Sequence, residues 1–133
     1  MNLDILIFIW LAMLFCHIVD DYYLQGVLAK MKQRKWWRDN NSDIRYVNDY
    51  RAALLAHSFS WSFMIHLPMV AAMLITGVTL PYQMLITFAA NVLIHYFVDN
   101  EKANKYSINL ITDQTIHFFQ VTATWLIIVI TCL

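Results

Sequence analysis

The stretch 95-HYFVDNEKANKYSINLITDQTIH-117 decides how this chain is read. His95 and Asp99 stand four residues apart, a polar linker follows, and Asp113 and His117 repeat the spacing in the opposite order. Residues four apart on an α-helix share one face and lie about 6 Å apart along the axis. If the two halves are antiparallel helices, the reversal sets both aspartates at one depth and both histidines at the next. The same signature occurs near the N-terminus as His17 and Asp21, and His57 stands at the start of another apolar run.

The surrounding composition says where such a layer lies. Of 133 residues, 60% are hydrophobic and only 14% charged. Mean hydropathy is +0.52. Soluble domains run at about 45–50% apolar and about 25% charged. Two glycines and two prolines are too few for a many-stranded β protein. The expected class is an all-α membrane protein forming one domain, 1–133. Crossing a bilayer takes about 20 apolar residues, and four stretches qualify: 3–24, 52–76, 82–105 and 111–133. The opening MNLDILIFIW has an acidic Asp4 and no basic n-region, so it reads as a retained helix and not as a leader. Cys16 and Cys132 match no metal motif, and no disulfide framework is expected. A formal net charge of zero gives no reason to expect a nucleic-acid partner.

Charge placement gives an orientation. Lys30, Lys32, Arg34, Lys35, Arg38, Arg45 and Arg51 lie between the first and second stretches, and Lys102 and Lys105 between the third and fourth. With four spans these two loops share one side, which the positive-inside rule makes cytoplasmic. Both termini are then extracytoplasmic, and the location is a bacterial inner membrane. Trp36 and Trp37 within the basic loop fit an interfacial helix at the lipid headgroups, or a solvated loop whose rings pack on the bundle.

All seven of His17, Asp21, His57, His95, Asp99, Asp113 and His117 then fall near the cytoplasmic face. An aspartate at the centre of a spanning helix costs roughly 2.5–3.5 kcal/mol on insertion scales. Metal coordination offsets that cost, and imidazole with carboxylate is a common donor set for zinc, manganese or iron. Four-helix bundles build two-metal sites from similar inward-facing pairs. The expectation is a divalent metal, zinc first, as one or two ions held by these seven residues. The simpler reading is a hydrogen-bonded cluster that holds the helices together. Cys16 should point away from His17, and His66, about 13–14 Å deeper than His57, reads as structural. Asp20, Gln25, Lys30, Lys102 and Gln114 stand near the same surface as candidates to orient ligands or substrate. The order His17-x3-Asp21…His57 and His95-x3-Asp99…His117 hints at a duplicated helical hairpin.

The pieces 17-HIVDDYYLQ-25, 54-LLAHS-58, 95-HYFVDNEK-102 and 113-DQTIH-117 together resemble a family of small, uncharacterised bacterial and phage multi-pass membrane proteins, a domain of unknown function. More distantly they resemble inner-membrane proteins described as metal-dependent hydrolases. Asp20 and the long basic loop depart from that pattern.

The function expected is metal-dependent hydrolysis of a lipid or lipid-linked ester or phosphoester. Asp21, Asp99 and Asp113 would be the carboxylates beside the activated water, and Lys30, Lys32, Lys102 or Lys105 would hold a phosphate. Membrane lipid is the expected surrounding, and a homo-oligomer is compatible with it. Two other classes use the same residues: an ion- or proton-translocating protein, and a non-enzymatic interaction protein, such as a phage-encoded host-modulating factor, with a structural site.

Overall fold

A computed structural model describes residues 2–132. The end of the fourth stretch at Leu133 lies outside them. Among the described residues every regular element is helical. Helix α1 (Leu3–Val19) runs into a π-helical turn at Asp20–Leu24. Two short helices follow, α2 (Leu28–Met31) and α3 (Arg34–Asn40), then a 3₁₀ turn at Ile44–Tyr46. Helix α4 spans Tyr50–Thr76, α5 spans Tyr82–Asn100 with a second π-helical turn at Glu101–Lys105, and α6 spans Leu110–Cys132.

The ends of the long helices follow from local chemistry. Asn2 caps α1 by accepting from the Ile5 amide at 3.0 Å, and Asn109 caps α6 by accepting from Thr112 at 2.9 Å. Gly77 closes α4 at φ 71°, a left-handed conformation that favours glycine. Pro81 then opens α5, where its missing N–H is no loss. Helix α4 continues through Pro68.

The four long helices form a ring in which α1 packs on α4, α4 on α5, α5 on α6 and α6 back on α1. One half of the interior is apolar and methionine-rich, built from Ile9, Met13, Trp61, Ile65, Met69, Met73, Val121 and Ile128 among others. Methionine fills the irregular space between such helices. The outer surface carries large apolar side chains, including Phe8, Phe15, Ile75, Leu85 and Ile130. A helix apolar on its outside as well as its inside suits lipid better than water.

Among the described residues three segments are long and apolar enough to cross a membrane: Leu3–Leu24, Ile44–Thr76 and Leu110–Thr131. Helix α5 is not among them, because Gln83, Asn91, His95 and Asp99 dilute its hydropathy. The same residues supply the bundle's polar interior.

The segment 25–51, expected as a basic loop, is largely structured. Gly26, at φ 49°, turns the chain out of the first π-helical turn. Helix α2 packs on α4, and α3 packs on the second π-helical turn. Trp36 and Trp37 meet edge to face at 5.0 Å, and Trp37 Nε1 donates to the Met31 carbonyl at 2.7 Å. Asn104 locks the junction. Its Nδ2 donates to the Lys32 carbonyl at 3.1 Å, and its Oδ1 accepts from the Arg34 amide at 2.6 Å.

Candidate metal centre

The histidines and aspartates meet in one buried layer below the apolar core. Each helix contributes through an i, i+4 pair or a single histidine, and His57, His95, Asp99, Asp113 and His117 are all almost fully buried. Among the described residues two groups of three could hold a metal ion: Asp21, His57 and His95, and His95, Asp99 and His117. They share His95, so they form one contiguous set of five donors from four helices.

The spacing within this set is that of ligands around a small cation. Bonds of about 2.0–2.1 Å in a tetrahedron place neighbouring ligand atoms about 3.3 Å apart. Here His57 Nε2 lies 3.1 Å from His95 Nε2, 3.3 Å from Asp21 Oδ1 and 3.4 Å from Asp99 Oδ2. His117 Nε2 lies 3.4 Å from Asp99 Oδ1. His95 Nε2 is wider, at 3.8 Å from Asp99 Oδ1 and 4.0 Å from Asp21 Oδ1.

Hydrogen bonds behind the rings decide which nitrogens offer lone pairs. His117 Nδ1 lies 2.8 Å from Gln120 Oε1. The amide orientation of Gln120 is pinned because its Nε2 donates to Asn91 Oδ1 at 3.1 Å and reaches the Asn91 backbone carbonyl, an acceptor only, at 3.4 Å. Asn91 in turn donates to Thr124 Oγ1 at 2.6 Å. His117 Nδ1 must therefore carry the proton, which leaves the Nε2 of the neutral ring as a lone pair. That atom and Asp113 Oδ1 are buried without hydrogen-bond partners, yet they lie 3.4 Å apart. Two acceptors facing each other in a dry interior call for a cation or a proton between them. For His57, the outer nitrogen Nδ1 faces Asp20 Oδ2 at 3.5 Å, and Asp20 Oδ1 accepts from Ser60 at 2.7 Å. A carboxylate behind a histidine is the usual support of a metal ligand.

His17 stands differently. Trp61 Nε1, which can only donate, points at His17 Nδ1 at 2.8 Å. The nitrogen nearer Asp21, at 3.5 Å from Oδ2, is thus occupied, and His17 belongs to neither group of three. Trp61 also stacks on His95, with ring centroids 4.3 Å apart, and His95 stacks on His117 at 4.1 Å. The indole forms the floor of the layer.

Two lysines close the other side. Lys32 Nζ donates to Asp99 Oδ2 at 2.6 Å with both side chains buried, and Lys102 pairs with Asp113. Gln114 Nε2 donates to Asp21 Oδ2 at 3.2 Å and to Asp113 Oδ2 at 3.0 Å. Gln25 Nε2 donates to the Asp21 carbonyl at 2.7 Å and its Oδ1 at 3.3 Å. A cleft of about 360 Å³ opens above, lined by Asp21, Gln25, Lys32, Lys102 and Gln114 among others. Lys30 is exposed. Lys32, two residues on, reaches the layer in its place.

Asp20 is buried and turned towards α4. The π-helical turn that begins there lets two consecutive aspartates face inward, a distortion often found at functional sites. A second π-helical turn follows Asp99 in α5. Asp21 lies inside the first π-helical turn and Asp99 two residues before the second, so a π-helical turn adjoins both His-x3-Asp motifs in different register. His66 bonds to the Ser62 carbonyl at 2.7 Å and Thr87 Oγ1 at 3.0 Å, away from the layer.

The chain matches no family model, no curated protein and no solved structure. The site's own chemistry therefore carries the functional reading. With carboxylates ionised and imidazoles neutral, Asp20, Asp21, Asp99 and Asp113 face Lys32 and Lys102. Two negative charges are left over, which one divalent ion or two protons held in the layer would close. The donor set fits such an ion.

Proposed function

We propose that the protein is an integral-membrane hydrolase that uses one divalent metal ion, zinc first, to cleave an ester or phosphoester of a lipid or lipid-linked substrate. The observation that carries this reading is the meeting of two possible ligand groups, Asp21, His57 and His95 with His95, Asp99 and His117, at a shared histidine beside an open polar cleft. A bound ion would supply Lewis acidity there. Asp21 is the carboxylate common to the donor set and the cleft, so a water and a substrate oxygen can meet beside it. Hydrolysis adds the water oxygen to the ester carbon or phosphorus as the bond to the leaving oxygen breaks. One water proton passes to a carboxylate, with Asp113 Oδ1 free to accept it, and the leaving oxygen ends protonated. Lys102 and Lys32 line the cleft where an anionic group would sit.

In this reading α5 is a fourth span. Its 19 residues cover about 28 Å, close to the roughly 30 Å hydrocarbon thickness. All nine lysines and arginines then share the cytoplasmic side of a bacterial inner membrane, with both termini opposite. The motif resemblance to small phage and bacterial membrane proteins is consistent with this.

A translocation pathway is disfavoured by the core beyond the layer. Buried polar side chains run from His117 through Gln120, Asn91 and Thr124, with His66 and Thr87 at a similar depth, but Met69, Met73, Met84 and Ile128 close the core past them. The test is the metal content of detergent-purified protein, wild type beside Asp99→Ala and His117→Ala, with ester hydrolysis measured on the same samples. About one ion per wild-type chain, lost with activity in both folded variants, is the expected result. Wild type without metal after loading would sink the hydrolase and leave an imidazolium–carboxylate cluster that holds the bundle.

A further inference from the structure

Three hollows on one side of the molecule share a wall. Tyr22 and Gln114 line the polar cleft. They also line a hollow of about 560 Å³ with Leu14, Ile18 and Phe118, and another of about 450 Å³ with Leu110, Ile111 and Phe118. Tyr22 sits on the first π-helical turn and Gln114 on the first turns of α6. The two apolar hollows thus form a groove between the end of α1 and the start of α6, running from the outer surface to the cleft. From Leu14 to Tyr22 it follows about 12 Å of helix.

We propose that this groove seats the apolar chain of a single-tailed anionic amphiphile whose head group lies in the cleft at Lys102 and Lys32. The inference deepens the hydrolase reading by naming its substrate class, and it rests on the same membrane placement. Two observations favour this occupant over a second copy of the chain. The groove is continuous with the polar cleft through Tyr22 and Gln114, so one molecule with a polar end and an apolar end fills both. The cleft end is lined by Lys32 and Lys102, which pair with Asp99 and Asp113, and by the amides of Gln25, Gln33 and Gln114; with three N–H bonds each, the lysines can serve a carboxylate and a phosphate together. The groove end is walled by Ile18, Ile111 and Phe118, exposed side chains on the surface that would face lipid.

The probe is dodecyl phosphate, compared with inorganic phosphate, on full-length protein released from neutral detergent and followed by native mass spectrometry. Ile18→Trp fills the groove from its exposed side. Ile94→Trp places the same ring on the exposed face of α5 as a control. Dodecyl phosphate should bind wild type and Ile94→Trp alike, and Ile18→Trp about tenfold or more weakly. Inorganic phosphate should bind all three equally. Equal dodecyl phosphate affinity in Ile18→Trp and wild type, or no preference for the dodecyl chain, overturns the proposal. So does a wild-type dimer that Ile18→Trp dissociates. Zinc content is read in parallel. Its absence removes the metal reading, while the chain-length contrast still judges the groove.

Discussion

Gln120→Leu tests the tautomer logic on which the metal reading depends. The substitution puts an apolar side chain of similar size in a position that is 7% exposed, and it removes the acceptor that faces His117 Nδ1 at 2.8 Å. Without it nothing holds the proton on Nδ1. The ring can then place the proton on Nε2, where it points at Asp99 Oδ1 and Asp113 Oδ1, each 3.4 Å away. In that form His117 donates to the carboxylates and offers no lone pair. Loss of such an outer hydrogen bond usually costs about 10–100-fold in metal affinity, which is about 1.4–2.8 kcal/mol. The lost bonds to Asn91 should lower fold stability by a further ~1 kcal/mol each, through a buried carbonyl left underserved. The assay is competition for zinc against a fluorescent chelator in detergent, with helicity recorded on the same sample. An affinity within twofold of wild type, with helicity retained, refutes the argument. His117 would then be either protonated on both nitrogens or outside the donor set.

His17→Gln and His57→Ala should separate the five-donor set from the wider group of seven. Zinc content should survive the first, because Trp61 already occupies His17 Nδ1, and should be lost in the second; equal loss in both would return His17 to the ligands. Lys32→Met and Lys102→Met should differ in thermal unfolding. The Lys32–Asp99 pair is almost wholly buried, at 7% and 2% exposure, and breaking such a pair costs about 3–5 kcal/mol. The Lys102 side chain is 27% exposed, and solvent screening reduces its loss to about 1–2 kcal/mol. Equal shifts would mean that α2 does not hold Lys32 where it is described.

Much of the architecture is legible because lipid and helix period impose simple rules. The apolar runs around Ile9, Ile65 and Ile128 read directly as long helices, and Gly77 with Pro81 marks the turn between two of them. The i, i+4 pairs place histidine and aspartate on common faces, so a shared layer follows from spacing alone. Which members point at one another does not follow. Trp61 lies 44 residues from His17, and nothing local distinguishes its indole from those of the other tryptophans. Lys32 and Lys30 are two residues apart and alike in chemistry, but they stand about 200° apart on a helix. Only the docking of α2 through Asn104 selects Lys32. Helix α5 shows the opposite difficulty, since the polar residues that make it useful also lower the hydropathy by which a span is recognised.

The two His-x3-Asp motifs share a spacing and an adjoining π-helical turn, but their histidines differ in what holds them. In the first, the indole of Trp61 donates to His17 and withdraws it from the donor set. In the second, the same indole stacks on His95 and leaves its Nε2 facing His57 and the carboxylates. One tryptophan therefore turns a near-symmetric pair of motifs into an asymmetric site. Of the seven candidate ligands, five fall into two groups of three that share His95, a geometry that could hold a metal ion. Asp113, held by Lys102 and Gln114, is left beside those groups with one oxygen unpaired. A carboxylate spared from coordination and aimed at the centre is placed to take a proton.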